Sequence, residues 1–165
     1  MISNPIEWII FELDEWFLSE ENIQPKQVVR SDAVFADEVQ KGYLDVLNGD
    51  QTYESFLLYS KNDLRTLSVD GFGFLLPKIV TVALQNPRSE LMDYFIYIVS
   101  DLKAGLDYYD CVFRALDVRR IHILCMAIMM FGVIYCGKDD FLFAKINRAC
   151  FLLIGCNNEM ILRPK

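Results

Sequence analysis

Apolar residues recur at spacings of three and four along most of the chain, which is the period of an α-helix; the tight alternation of a half-buried strand is absent. Ile6, Ile9, Ile10, Leu13 and Phe17 form the first such series. Asn4 can cap it, Pro5 suits the first helical position, and Glu7 favours the helix N-terminus. The pattern predicts an end near Leu18. A second series, Phe35, Val39, Tyr43, Val46 and Leu47, follows Asp32 as a candidate cap and stops at Asn48-Gly49-Asp50. Residues 53–60 read as a short helix or turn. Ser68 then caps a helix that Pro77 kinks or restarts and Asn86-Pro87 ends. A strand through Phe72–Leu76 would find no partner. Ser89 caps a helix lined by Leu91, Phe95, Ile98 and Leu102, and residues 103–110 read as a loop or turn. Asp117 caps a long apolar helix stopped by Gly137. Asp139 or Asp140 caps the last helix, whose inward positions are Leu142, Ile146, Ala149, Cys150 and Leu153, with Gly155 closing it. The expected fold is all-α: one domain over residues 1–165, a bundle of six or seven helices around a central apolar helix at about 118–136.

That central run raises the question of a membrane. Residues 123–136 carry no charge, and Arg119, Arg120 and Lys138 bracket them closely. A spanning helix needs ~20 apolar residues, and runs of ~10–14 are more often buried in a core. The expectation is a core helix and no membrane association.

Composition narrows the partners. The chain has 165 residues, 53% hydrophobic and 24% charged, with a formal net charge of −7. That excludes a disordered chain. The charge is uneven: the first 60 residues hold twelve acids against Lys26, Arg30 and Lys41, while the remainder is slightly basic. Such a first half does not suit phosphate, so nucleic acid is not expected as a partner; a basic protein surface suits it better. A solvated acidic face is the plain alternative. Cys111, Cys125, Cys136, Cys150 and Cys156 are odd in number, form no CxxC, and sit mostly within apolar runs, as reduced buried cysteines do. The first sixteen residues have no basic stretch ahead of their apolar positions, and acids interrupt them, so they are not read as a signal peptide. A cytoplasmic location is expected.

Leu67-Ser68-Val69-Asp70-Gly71-Phe72-Gly73-Phe74-Leu75-Leu76-Pro77 resembles the signature of a family of small, uncharacterised bacterial all-helical proteins, with a Leu-Ser-x-Glu-(Gly/Ala)-Phe-x-Phe-x-Leu-Pro core. Phe113–Arg120 is similar to a second motif of that family, with Arg120 where Gln is usual. The resemblance covers about residues 64–135. It implies helical packing and supplies no catalytic residues.

His122, the only histidine, lies three residues before Cys125, so both fit one helix face. A Cys–His nucleophile needs open access and an orienting group, and the apolar neighbours Ile121, Ile123, Leu124 and Met126 predict burial instead. Zinc needs four ligands where this face offers two. No phosphate-binding, dinucleotide, zinc-protease or nucleophile-elbow motif occurs. Gly71 and Gly73 read as a packed turn. Glu12 with Glu15, or Asp37 with Glu38, read as solvated acids. No catalytic residue, cofactor or metal is expected.

On a wheel of 100° per residue, Ile10, Leu13 and Phe17 fall close to Ile6, while Phe11, Glu15, Trp8 and Glu12 fall opposite. With Ile6, Ile10 and Leu13 inward, Trp8 and Phe11 point out among acids, as anchors of an interface do. A helix buried on both sides would put them in a second cluster. These features, shared in type by many small immunity proteins, lead to the expected function. It is an immunity protein or antitoxin that binds a basic toxin domain through Trp8, Phe11, Glu12, Glu15, Glu20, Glu21, Asp37, Glu38 and Asp45. The alternative is a non-catalytic interaction or scaffolding module, self-association included.

Overall fold

The helical periods form the helices. The computed structural model describes residues 4–59, 64–100, 108–135 and 140–161. In chain order these give α1 (Pro5–Leu18), α2 (Ala36–Leu47), α3 (Tyr53–Tyr59), a 3-10 turn (Leu64–Thr66), α4 (Val69–Gln85), α5 (Leu91–Ser100), α6 (Asp110–Arg114), α7 (Val118–Tyr135) and α8 (Asp140–Ile161). No strand occurs among the described residues; Val29 and Leu67 form one isolated bridge. The fold is all-α. α3 is the short helix expected within residues 53–60, and α6, whose five residues are too short to show a period, takes the number past seven. Gly137, Asp139 and most of 103–110 lie outside the described residues.

Capping follows the sequence at three helices. Asn4 Oδ1 accepts from Ile6 N at 3.0 Å, Ser68 Oγ from Gly71 N at 3.0 Å, and Asp117 Oδ1 from Arg120 N at 2.8 Å. Each satisfies an amide that has no partner within its own helix. At α2 the structure differs. Asp32 pairs with Arg30 at 2.6 Å instead of capping, and Phe35 takes the N-cap position in the left-handed region, φ 66°, with no side-chain cap. Phe35 is thereby turned out of the inward series and stands 66% exposed.

α4 runs unbroken through Pro77, ends at Asn86, and packs against α1, α3, α5, α6 and α7. Phe72, Leu75, Leu76, Ile79, Val80 and Ala83 are fully buried along it. Gly71 and Gly73 lie in its first turns, not in a turn between elements. Gly71 is required there: a Cβ would sit 2.2 Å from the carbonyl oxygen of Val28. That contact lets the segment before α2 lie across the start of α4. Ser68 N donates to Val28 O (2.8 Å), Arg30 N to Thr66 O (2.9 Å), and Val28 N to Gln40 Oε1 of α2 (3.0 Å). Tyr109 stacks on Phe72 at 4.2 Å, and its hydroxyl lies 2.7 and 2.9 Å from the carbonyls of Leu64 and Leu67. The stretch that resembles a family signature is thus a packing element, held from both sides.

α7 contacts α1, α4, α5 and α8. By length and composition it could cross a membrane, but Ile121, Ile123, Leu124, Ala127, Ile128 and Phe131 are buried within the bundle. That placement is compatible with a soluble chain. Gly132 lies against Ile146 and Cys125 against Cys150, so α7 and α8 run antiparallel. A Cβ on Gly132 would come 2.5 Å from Ile146 Cδ1.

Candidate docking face and its cleft

α1 is wedged between α4 and α7. Its fully inward residues are Ile9, Leu13 and Trp16, while Ile6, Ile10 and Phe17 are only half-buried. The inward face is therefore rotated towards α7 from the expected Ile6–Ile10–Leu13 line. The rotation follows from having two neighbours instead of one. Phe17 packs on Phe74 of α4, and Trp16 lies beneath the Arg120 guanidinium of α7 at 5.4 Å. The opposite face is as the wheel predicts: Trp8 is 38% and Phe11 50% exposed, with Glu7, Glu15 and Leu18 also exposed.

The acids near Trp8 divide into two groups. Glu12 is ion-paired with Arg119 of α7, whose Nε lies 3.1 Å from Glu12 Oε2. Glu21 is paired with Arg120, and Asp14 with Lys78 of α4 at 2.7 Å. These acids are matched by the chain's own cations. Glu15 and Glu20 are exposed and form no ion pair among the described residues. The internal pairs account for part of the charge contrast between the two halves: some of the basic second half sits on the acidic first.

Asp37, Glu38 and Asp45 belong to α2, which packs on α3, whereas α1 packs on α4 and α7. Asp37 and Glu38 are exposed in the first turn of α2, where acids also stabilise the helix dipole. Asp45 is half-buried, and its carbonyl accepts from Asp50 N at 2.8 Å. The nine residues therefore divide three ways: Trp8, Phe11, Glu12 and Glu15 on α1, Glu20 and Glu21 in the turn after it, and Asp37, Glu38 and Asp45 on α2. Leu18, Val34 and Phe35, exposed and apolar beside these acids, were not legible as candidates. The positive φ at Phe35 was the feature that a helical period cannot register.

Between α1 and α7 lies a cleft of about 620 Å³, lined among others by Trp8, Glu12, Arg119, His122, Cys125 and Met126. Its size falls in the range of small-ligand sites. His122 is exposed here, contrary to the burial its neighbours predicted, because it lines the open cleft between α1 and α7. Cys125 is 7% exposed, and its Sγ lies 3.9 Å from the carbonyl oxygen of Cys150. A hydrogen bond with the Cys150 thiol and burial push its pKa far up, the opposite of what a nucleophilic thiolate needs. No cluster of three or more His, Cys, Asp or Glu side chains that could hold a metal occurs among the described residues.

Comparison with protein families, with curated proteins and with solved structures finds no match to this chain.

Proposed function

We propose that the chain is a binding protein of the immunity or antitoxin kind, which docks a basic toxin domain on the outer face of α1. The observation that supports this reading is the exposure of Trp8 and Phe11 on the helix that carries Glu15 and runs on to Glu20, acids with no ion pair among the described residues. Large aromatics left open among unmatched acids combine an apolar anchor with electrostatic steering towards a positive surface. A nuclease domain, positive where it grips phosphate, has the matching chemistry. The α2 acids form a second, separate contribution.

The test is a capture experiment with three baits: the wild-type chain, Trp8→Ala with Phe11→Ala, and Glu15→Lys with Glu20→Lys. A basic protein retained by the wild type at low salt, lost with both variants and released by 0.5 M salt is the expected result. Equal retention by all three, with helicity unchanged, removes α1 as the docking face. The basic protein should also inhibit growth when expressed alone and cease to do so beside this chain.

Self-association is favoured by a different feature. Val118, His122, Met129 and Val133 form an exposed stripe along one side of α7. A sedimentation mass above 19.2 kDa that Val133→Asp returns to the monomer value would assign that stripe to a second copy.

A further inference from the structure

The contact between α7 and α8 carries an inference independent of the docking face. Cys125 and Cys150 meet across the two helices in a reciprocal arrangement. Cys125 Sγ lies 3.9 Å from the Cys150 carbonyl oxygen, and Cys150 Sγ lies 3.8 Å from the Cys125 carbonyl oxygen. Each thiol thus reaches the other residue's main chain, so the gap between the backbones is only a side chain wide. The close approach is built into the sequence: Gly132, two turns beyond Cys125 on the same face of α7, leaves room for Ile146 of α8. Both cysteines are free thiols. Cys125 is buried and Cys150 half-buried, so Cys150 is the more accessible sulfur of the two.

We propose that Cys125 and Cys150 are a redox pair that closes to a disulfide on exposure to a peroxide. Cys150 is the attacking sulfur. The hydrogen bond from Cys125 favours its thiolate and holds its pKa below the ordinary value, while the same bond and burial keep Cys125 protonated. The Cys150 thiolate attacks one oxygen of hydrogen peroxide and the O–O bond breaks. Hydroxide leaves and takes up the proton that Cys150 released. The Cys125 sulfur then attacks the Cys150 sulfenic sulfur. The S–S bond forms, the S–O bond breaks, and the departing hydroxide leaves as water with the Cys125 proton. Two thiols are oxidised and one peroxide becomes two waters. The product ties α8 to α7 behind the α1–α7 cleft, whose wall includes Cys125.

The test uses the full chain with Cys111, Cys136 and Cys156 changed to serine, so that only this pair remains. Wild type is run alongside, its cross-link sites assigned from fragmentation spectra, since Cys136 and Cys156 share tryptic peptides with the pair. After one equivalent of hydrogen peroxide, both thiols should disappear together from a thiol titration. Mass spectrometry should show one 125–150 cross-link, two hydrogens lighter, that a dithiol reductant reverses. Before oxidation, Cys150 should alkylate at least tenfold faster than Cys125 at pH 8, and Cys125→Ala, which removes the donor, should shift the pH midpoint of that reaction upward. Sulfinic acid on Cys150 without a cross-link, a wild-type cross-link that uses another cysteine, or equal alkylation rates would overturn the proposal.

Discussion

α4 and α7 are nearly the same length and similarly oily, yet the bundle treats them differently. In α4, twelve of 17 residues are buried; in α7, eight of 18. α4 contacts five helices, whereas α7 contacts four and leaves Val118, His122, Met129 and Val133 exposed. Composition decides that a helix seeks the core, but the number of elements around it decides how much of it gets there. The cleft, His122 and the exposed stripe are all on α7, the less buried of the two helices.

The contrast can be broken most directly by truncation. Leu75→Ala in α4 should cost about 3 kcal/mol in urea unfolding, since it removes a fully buried side chain and leaves a cavity. Met129→Ala on the open flank of α7 should stay within about 0.5 kcal/mol. A Met129 cost as large as that of Leu75 would mean the flank is covered in solution.

Two glycines of α4 sharpen the same point at smaller scale. Gly71→Ala should cost about 2 kcal/mol, because the new methyl meets the Val28 backbone and the crossing segment must shift. Gly73→Ala should gain about 0.8 kcal/mol, since its methyl would meet Val112 at an ordinary 3.5 Å and the helix loses a flexible residue. Thermal melts of both variants check the pair of opposite signs.

A pH-dependent effect concerns the edge of the core under α2. Tyr43 is buried, which raises its pKa to about 12 from the ordinary 10. The unfolded chain therefore releases this proton first, and the contribution of Tyr43 is complete below about pH 10 and fades as pH rises towards 12. In Tyr43→Phe the fall of the urea midpoint between pH 10 and 12 should be shallower than in the wild type. An unchanged slope would mean the hydroxyl, which donates to Pro25 O at 3.1 Å, is wetter than its surroundings indicate.

Much of the fold was legible because it is local. Asn4, Ser68 and Asp117 cap as their positions predict, and α1 exposes Trp8 and Phe11 where a wheel puts them. What escaped was set by distance along the chain or by backbone shape. Glu12 meets Arg119 across 107 residues, and no pattern near either one foretells it. His122 is exposed because it lines the cleft between α1 and α7, which its apolar neighbours in sequence cannot reveal. Phe35 fits a helical series by spacing, yet its left-handed backbone turns it to solvent. Gly71 looked like a loop former, and its role came to light only with Val28 laid against it.

The Arg119–Glu12 pair gives the α1 flank an occupant of its own. On the proposed docking at α1, a visiting guanidinium that reached Glu12 would find a resident one there and have to evict it; Arg119, already largely in water, would then swing free at little cost. Recognition at that point would be an exchange of cations, with the incumbent setting the threshold a newcomer has to exceed.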